Sequence, residues 1–173
     1  MNKALITLAA TSLLFLFSTT HTHGQQKQAL RLGVYDSRAV YVAWFNSPLA
    51  ESPIPALQKR MKDAKERNDS KAVAACEREG LLRQAMSHER GFGTGSIRAI
   101  MTRLATQLEQ IVATEKLDLV VSKWELNYAG ADVVTVDITE KIIAAIGVPE
   151  KMKNIAREME NHPPVEDAFL MED

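Results

Sequence analysis

One apolar stripe constrains this chain more than any other feature. Ile97, Ile100, Met101, Leu104, Leu108, Ile111 and Val112 recur at steps of 3, 1, 3, 4, 3 and 1. That spacing puts all seven on one side of a helix about four turns long, and the stripe must be buried against something. Arg98, Arg103, Gln107 and Gln110 occupy the opposite side and meet water. The flanking segments must therefore supply the partner surface.

Before the stripe, Leu30-Arg31-Leu32-Gly33-Val34-Tyr35 alternates and reads as a strand with one buried face. Asp36-Ser37 caps a helical turn from Arg38 to Phe45, to which Val40, Trp44 and Phe45 bring apolar bulk. Asn46-Ser47-Pro48 interrupts it, and Pro53 and Pro55 mark an irregular passage or a bent continuation. After the stripe, Leu117 to Val121 reads as a strand. Trp124, Leu126 and Tyr128 alternate like a second strand, and Ala129 to Asp132 as a turn or loop. Asp137 with Glu140 three residues on resembles a capping box ahead of a short helix faced by Ile138, Ile142, Ile143 and Ile146. Gly147 and Pro149 end that helix.

The middle of the chain is different. From Ala56 to Arg67 the apolar positions are Leu57, Met61 and Ala64, set among Lys59, Arg60, Lys62, Lys65 and Arg67. Asn68-Asp69-Ser70 signals a turn. From Lys71 to Arg90, Val73, Cys76, Leu81, Leu82, Ala85 and Met86 are spread among charges. Helices of this composition cannot line a thick core, so the expectation is a projecting hairpin zipped by a narrow apolar seam.

Gly91-Phe92-Gly93-Thr94-Gly95-Ser96 has the glycines of a phosphate loop but not its context. No strand leads in, no Gly-Lys-Ser/Thr follows, and the third glycine comes one position early. It reads as a break or hinge, with Ser96 capping the next helix. Composition narrows the class further. There are 21 Lys+Arg against 22 Asp+Glu, a net charge of −1, which argues against a general nucleic-acid binder. Cys76 is the single cysteine, so no internal disulfide exists. His88 on a polar helix, His162 beside Pro163, and Glu77 and Glu79 on different sides of a helix form no catalytic constellation. No catalytic residue, cofactor or metal is expected.

Asn2-Lys3, the uncharged run Ala4 to Phe17, and a polar stretch to Gly24 have the layout of a cleavable secretory signal peptide over 1–24. The run is too short to span a bilayer comfortably. Its removal takes Lys3 and leaves 20 basic against 22 acidic residues, a charge of −2. At the other end, Glu150 to Asn161 reads as one more helix with Met152, Ile155 and Met159 on a face. Beyond His162-Pro163-Pro164 an acidic tail is expected to be solvated, or to fold back on the basic arms.

Three segments carry a family resemblance. Leu32 to Ser37, then Leu117-Asp118-Leu119-Val120-Val121, then Asn127-Tyr128 with Val136-Asp137-Ile138-Thr139-Glu140, resemble the Skp (OmpH-like) family of periplasmic chaperones over about residues 30–147. The resemblance implies an α+β fold: a small β-rich body (30–47 and 97–147) bearing a projecting α-helical hairpin, or tentacle (about 56–90), within a domain spanning 25–147. Residues 148–173 extend past it. It further implies a homotrimer in the periplasm that holds unfolded outer-membrane proteins between its arms without ATP. On that reading Leu57, Met61, Leu81, Leu82 and Met86 touch client side chains, methionine being flexible and polarisable. Lys59, Lys62, Lys65, Arg67 and Lys71 attract acidic segments or anionic lipid. The alternative, favoured by the short first arm and near-neutral charge, is a trimeric envelope scaffold for one folded partner.

Overall fold

The structure, a computed structural model, describes residues 29–171. The expected signal peptide, and Glu172 and Asp173 of the tail, lie outside the described residues.

Strand β1 (Leu30–Tyr35) sits at the centre of a three-stranded sheet of order β2-β1-β3. Both neighbours, β2 (Leu119–Ser122) and β3 (Val133–Asp137), run parallel to it, with Gly33 opposite Val120 on one side and Val136 on the other. Parallel pairing excludes a tight turn between partners and requires crossovers. Five helices make the first: α1 (Ser37–Phe45), α2 (Ile54–Glu66), α3 (Ser70–Gly91), α4 (Arg98–Arg103) and α5 (Ala105–Glu115). After the sheet come α6 (Thr139–Ile146), α7 (Glu150–Glu160) and a 3-10 turn at Ala168–Leu170.

The expected small β-rich body with a projecting hairpin is therefore wrong. Helices dominate, and the sheet is small and wholly parallel. Trp124 to Tyr128 is not a strand: Glu125 N–H donates to Ser122 O at 3.0 Å and the chain turns away. Its alternation misled because Trp124 is committed elsewhere, its indole N–H reaching Asp36 Oδ1 at 3.0 Å. The missing strand is the β-branched run Val133-Val134-Thr135-Val136, whose residues suit a pleated surface.

The hairpin is corrected in a second way. α2 and α3 do pair through a turn at Asn68 (φ 54°), and Asp69 caps α3 by accepting from Ala72 N–H at 2.9 Å. The C-terminal half of α3, however, lies on the body. Tyr41 of α1 and Ser87 share a hydroxyl hydrogen bond of 2.7 Å, and Gly91 lies beside the Tyr41 ring. No long arm projects, because Tyr41, Gly91 and the 3-10 turn anchor what was expected to be its second half.

The stripe helix is broken once, at Leu104 (φ −94°, ψ 12°), into α4 and α5. Its apolar face is kept: Ile97, Ile100 and Leu104 are buried, and Leu108, Ile111 and Val112 pack on the same core. That core continues through Val40, Ala43, Ile138, Ile142 and Ile143. Gly33 lets it close on the sheet, since a Cβ there would stand 2.7 Å from Leu117 and 3.2 Å from Ile138. Asp137 accepts from Thr139 N–H at 2.8 Å at the start of α6, and Gly147 (φ 78°) ends it in the left-handed region.

The last segment is structural. α7 packs against α1, burying Ala156 completely and bringing Met152 and Met159 onto the core, while Ile155 stays exposed. The tail beyond it is partly docked: Val165 N–H donates to Phe92 O at 2.9 Å, and Ala168 is buried. Its described part lies against α3.

Candidate functional site

The residues singled out for client contact divide into three groups. Leu57 is buried in the α2–α3 seam with Ala64 and Cys76, and Met61 is half-buried beside them. Leu81, Leu82 and Met86 face water at 67%, 62% and 43% exposure, outside the buried part of the seam. Leu82 and Met86 lie one helical turn apart, on one face. The tail rests on the same helix, the Met171 carbonyl lying 3.1 Å from His88 Nδ1, and leaves Leu170 and Phe169 67% and 49% exposed. The result is an apolar surface of large side chains on a charged helix.

The basic residues are all exposed, but two are already paired along α2. Lys59 Nζ is 3.0 Å from Asp63, and Lys62 Nζ is 3.8 Å from Glu66. Lys65, Arg67 and Lys71 lie exposed around the turn. Between the helices, Arg60 donates to Glu79 at 2.7 Å and Arg83 to the same carboxylate at 2.8–2.9 Å. Their hydrogen bonds lower the Glu79 pKa and, from the other side, raise that of Arg60.

Residue-by-residue reading missed a second cluster, at the carboxyl end of β1. Asp36 is wholly buried, and its carboxylate accepts from Arg38 Nη2 at 2.9 Å, Arg38 Nε at 3.2 Å and Trp124 Nε1 at 3.0 Å, with Lys123 Nζ 2.9 Å away. Arg38, 1% exposed, also lies 4.6 Å from the centre of the Trp124 ring and donates to Met159 O and His162 O at 3.0 and 2.8 Å. Burial pushes the Asp36 carboxyl up, but the hydrogen bonds from Arg38, Lys123 and Trp124, with the Arg38 charge, outweigh it and hold the pKa at about 2. Arg38, Lys123 and Trp124 hold the carboxylate and Arg38 also bonds the end of α7, so the cluster clamps α1, the 123–124 segment and the end of α7 together. A charged pair two residues apart directly after a strand was the available signal.

The Gly91–Ser96 break is a folded loop built around Glu89. Gly95 N–H donates to Glu89 O at 2.9 Å, and a Cβ on Gly95 would stand 2.9 Å from that same backbone carbonyl. Among the described residues no group of three His, Cys, Asp or Glu is placed to hold a metal ion. No described helix is long and apolar enough to cross a membrane. Neither a family model, nor a curated protein, nor a solved structure matches this chain.

Proposed function

We propose that this chain is a periplasmic holdase that binds apolar segments of unfolded outer-membrane proteins, as a homotrimer and without ATP. The observation that supports the reading best is the exposure of Leu81, Leu82 and Met86 on a charged helix. Large apolar side chains grouped at a surface mark an interaction site. Methionine and leucine there accommodate varied sequences, as a holdase requires. Lys65, Arg67 and Lys71 at the nearby turn add attraction for acidic segments or anionic headgroups. Weak contacts of this kind reach useful strength when several copies present them together, which is what the trimer provides.

Replacing Leu81, Leu82 and Met86 together by Ser is expected to leave the melting temperature within a few degrees, since exposed positions contribute little to stability. It should lower suppression of aggregation of an unfolded β-barrel protein about tenfold or more, each lost apolar anchor being worth roughly 1 kcal/mol or more. Full suppression by the triple variant rules the surface out, and a monomeric mass by light scattering removes the avidity on which the reading depends. Deleting 163–173 uncovers the α3 face now met by the 3-10 turn and is expected to raise client affinity; unchanged affinity means the tail masks nothing.

A second reading, a scaffold for one folded partner, is favoured by the Tyr41–Ser87 bond and the docked tail, which hold α3 as a fixed surface instead of a mobile arm. Breadth decides: suppression confined to a single protein points to the scaffold.

A further inference from the structure

An open cleft of about 430 Å³ lies between the end of β2, the loop at 94–97 and the helices α4 and α5. That volume is typical of small-molecule sites, and the carboxyl ends of parallel strands are where open sheets place ligands. Tyr35, Ser37 and Ser122 line it from the ends of β1 and β2 and the start of α1.

Ser37 is the residue that points to a ligand. It is 3% exposed, and its Oγ is the one buried side-chain oxygen or nitrogen without a hydrogen-bond partner among the described residues. Burying a hydroxyl unpaired is costly, and native folds retain one where something else completes it. Ser122, by contrast, is engaged, its Oγ accepting from Trp124 N–H at 3.4 Å. Two opposite charges also line the cleft, Arg98 and Glu125, both exposed and neither in an ion pair among the described residues. Ile97, Met101 and Leu108 supply an apolar wall. Burial and the Glu125 charge both push the Tyr35 phenol up, so it keeps its proton and can donate.

We propose that this cleft binds a free amino acid with an apolar side chain, its carboxylate toward Arg98, its ammonium toward Glu125 and a hydrogen bond to Ser37 Oγ. A zwitterion answers both unpaired charges at once, whereas a simple anion would meet Glu125 and a simple cation Arg98. The proposal is independent of the holdase reading, because no residue of the α3 surface lines the cleft.

The test is thermal unfolding and titration calorimetry of the full chain with L-leucine, L-methionine, the uncharged N-acetyl-leucinamide, and triglycyl-leucine, whose ammonium is remote from its carboxylate. At about 10 mM, leucine or methionine should raise the melting temperature by about 2–4 °C and the uncharged analogue should not. Glu125→Gln and Arg98→Gln, both at exposed positions, should each weaken binding about tenfold. Ser37→Ala should do two opposite things. Without ligand it should melt about 2 °C higher, because the orphaned hydroxyl is gone, and its response to leucine should shrink. No shift with either amino acid, an equal shift with the uncharged analogue, or unchanged leucine affinity in Ser37→Ala overturns the proposal. Triglycyl-leucine binding as tightly as leucine overturns the zwitterion and gives the cleft to chain termini.

Discussion

Arg38→Met should cost about 3–5 kcal/mol at pH 7, because it strips a buried carboxylate of its two-pronged guanidinium partner. Methionine fills much of the arginine stem's volume, so the loss comes from charge and hydrogen bonds more than from packing. Asp36 would keep Lys123 and Trp124 but lose both guanidinium contacts, and Met159 O and His162 O would lose their donor. Urea unfolding of the two proteins measures the cost. A difference under about 1 kcal/mol would place this cluster among ion pairs that contribute nothing measurable.

The same cluster sets an acid limit. The Asp36 pKa falls from 3.8 to about 2 on folding, so the folded state holds the charged form more tightly. Its contribution is present above about pH 4 and is lost as pH falls through about 2, for on the order of 1–2 kcal/mol once screening at the solvent-facing Lys123 side is allowed for. In Arg38→Met the carboxyl titrates higher, and stability should begin to fall at a higher pH than in the parent. Coincident acid transitions would contradict the assigned cause.

Ending the chain at Val148 should have an effect of similar size. The deletion removes α7, uncovers the side of α1 on which Ala156, Met152 and Met159 pack, and takes both carbonyl acceptors from Arg38. Burial of a Met side chain is worth about 1.5–3 kcal/mol when complete, so two largely covered ones with their helix amount to roughly 3–5 kcal/mol. A domain of this size has about 5–15 kcal/mol in total. The expected result is a broad, low-temperature transition by circular dichroism, while deletion of 163–173 alone leaves a sharp one. A cooperative truncation product would make α7 an appendage after all.

How much of this was legible depended on how local each cause was. The ends of β1 and α1, the turn at Asn68 and the Gly147 stop follow from neighbouring residues and appear where the residues put them. The stripe from Ile97 to Val112 packs on the core as its spacing demanded, with Ile97, Ile100 and Leu104 buried and the others partly covered. The failures share one cause, a partner far away in the chain. Trp124 alternated like a strand residue, but its indole N–H is drawn to Asp36, 88 positions earlier. Val133 to Val136 is as good a strand by composition as Leu117 to Val121, yet only the open edge of β1 fixes where it pairs. Nor does anything in α3 foretell that Ser87 and Gly91 meet Tyr41.

For the candidate sites the division is the same. Sequence alone established that α2 and α3 are charged helices with too little apolar surface for a core, and it named Leu81, Leu82 and Met86. Tertiary structure decided that Leu57 faces inward and these three face water, that α3 lies down on the body, and that Ser37 is buried with an unanswered hydroxyl beside a cleft. Spacing along a chain encodes which residues share a face of one element. Which face is then covered, and by what, is settled only when elements distant in sequence compete for the same apolar surface and the same hydrogen-bonding groups.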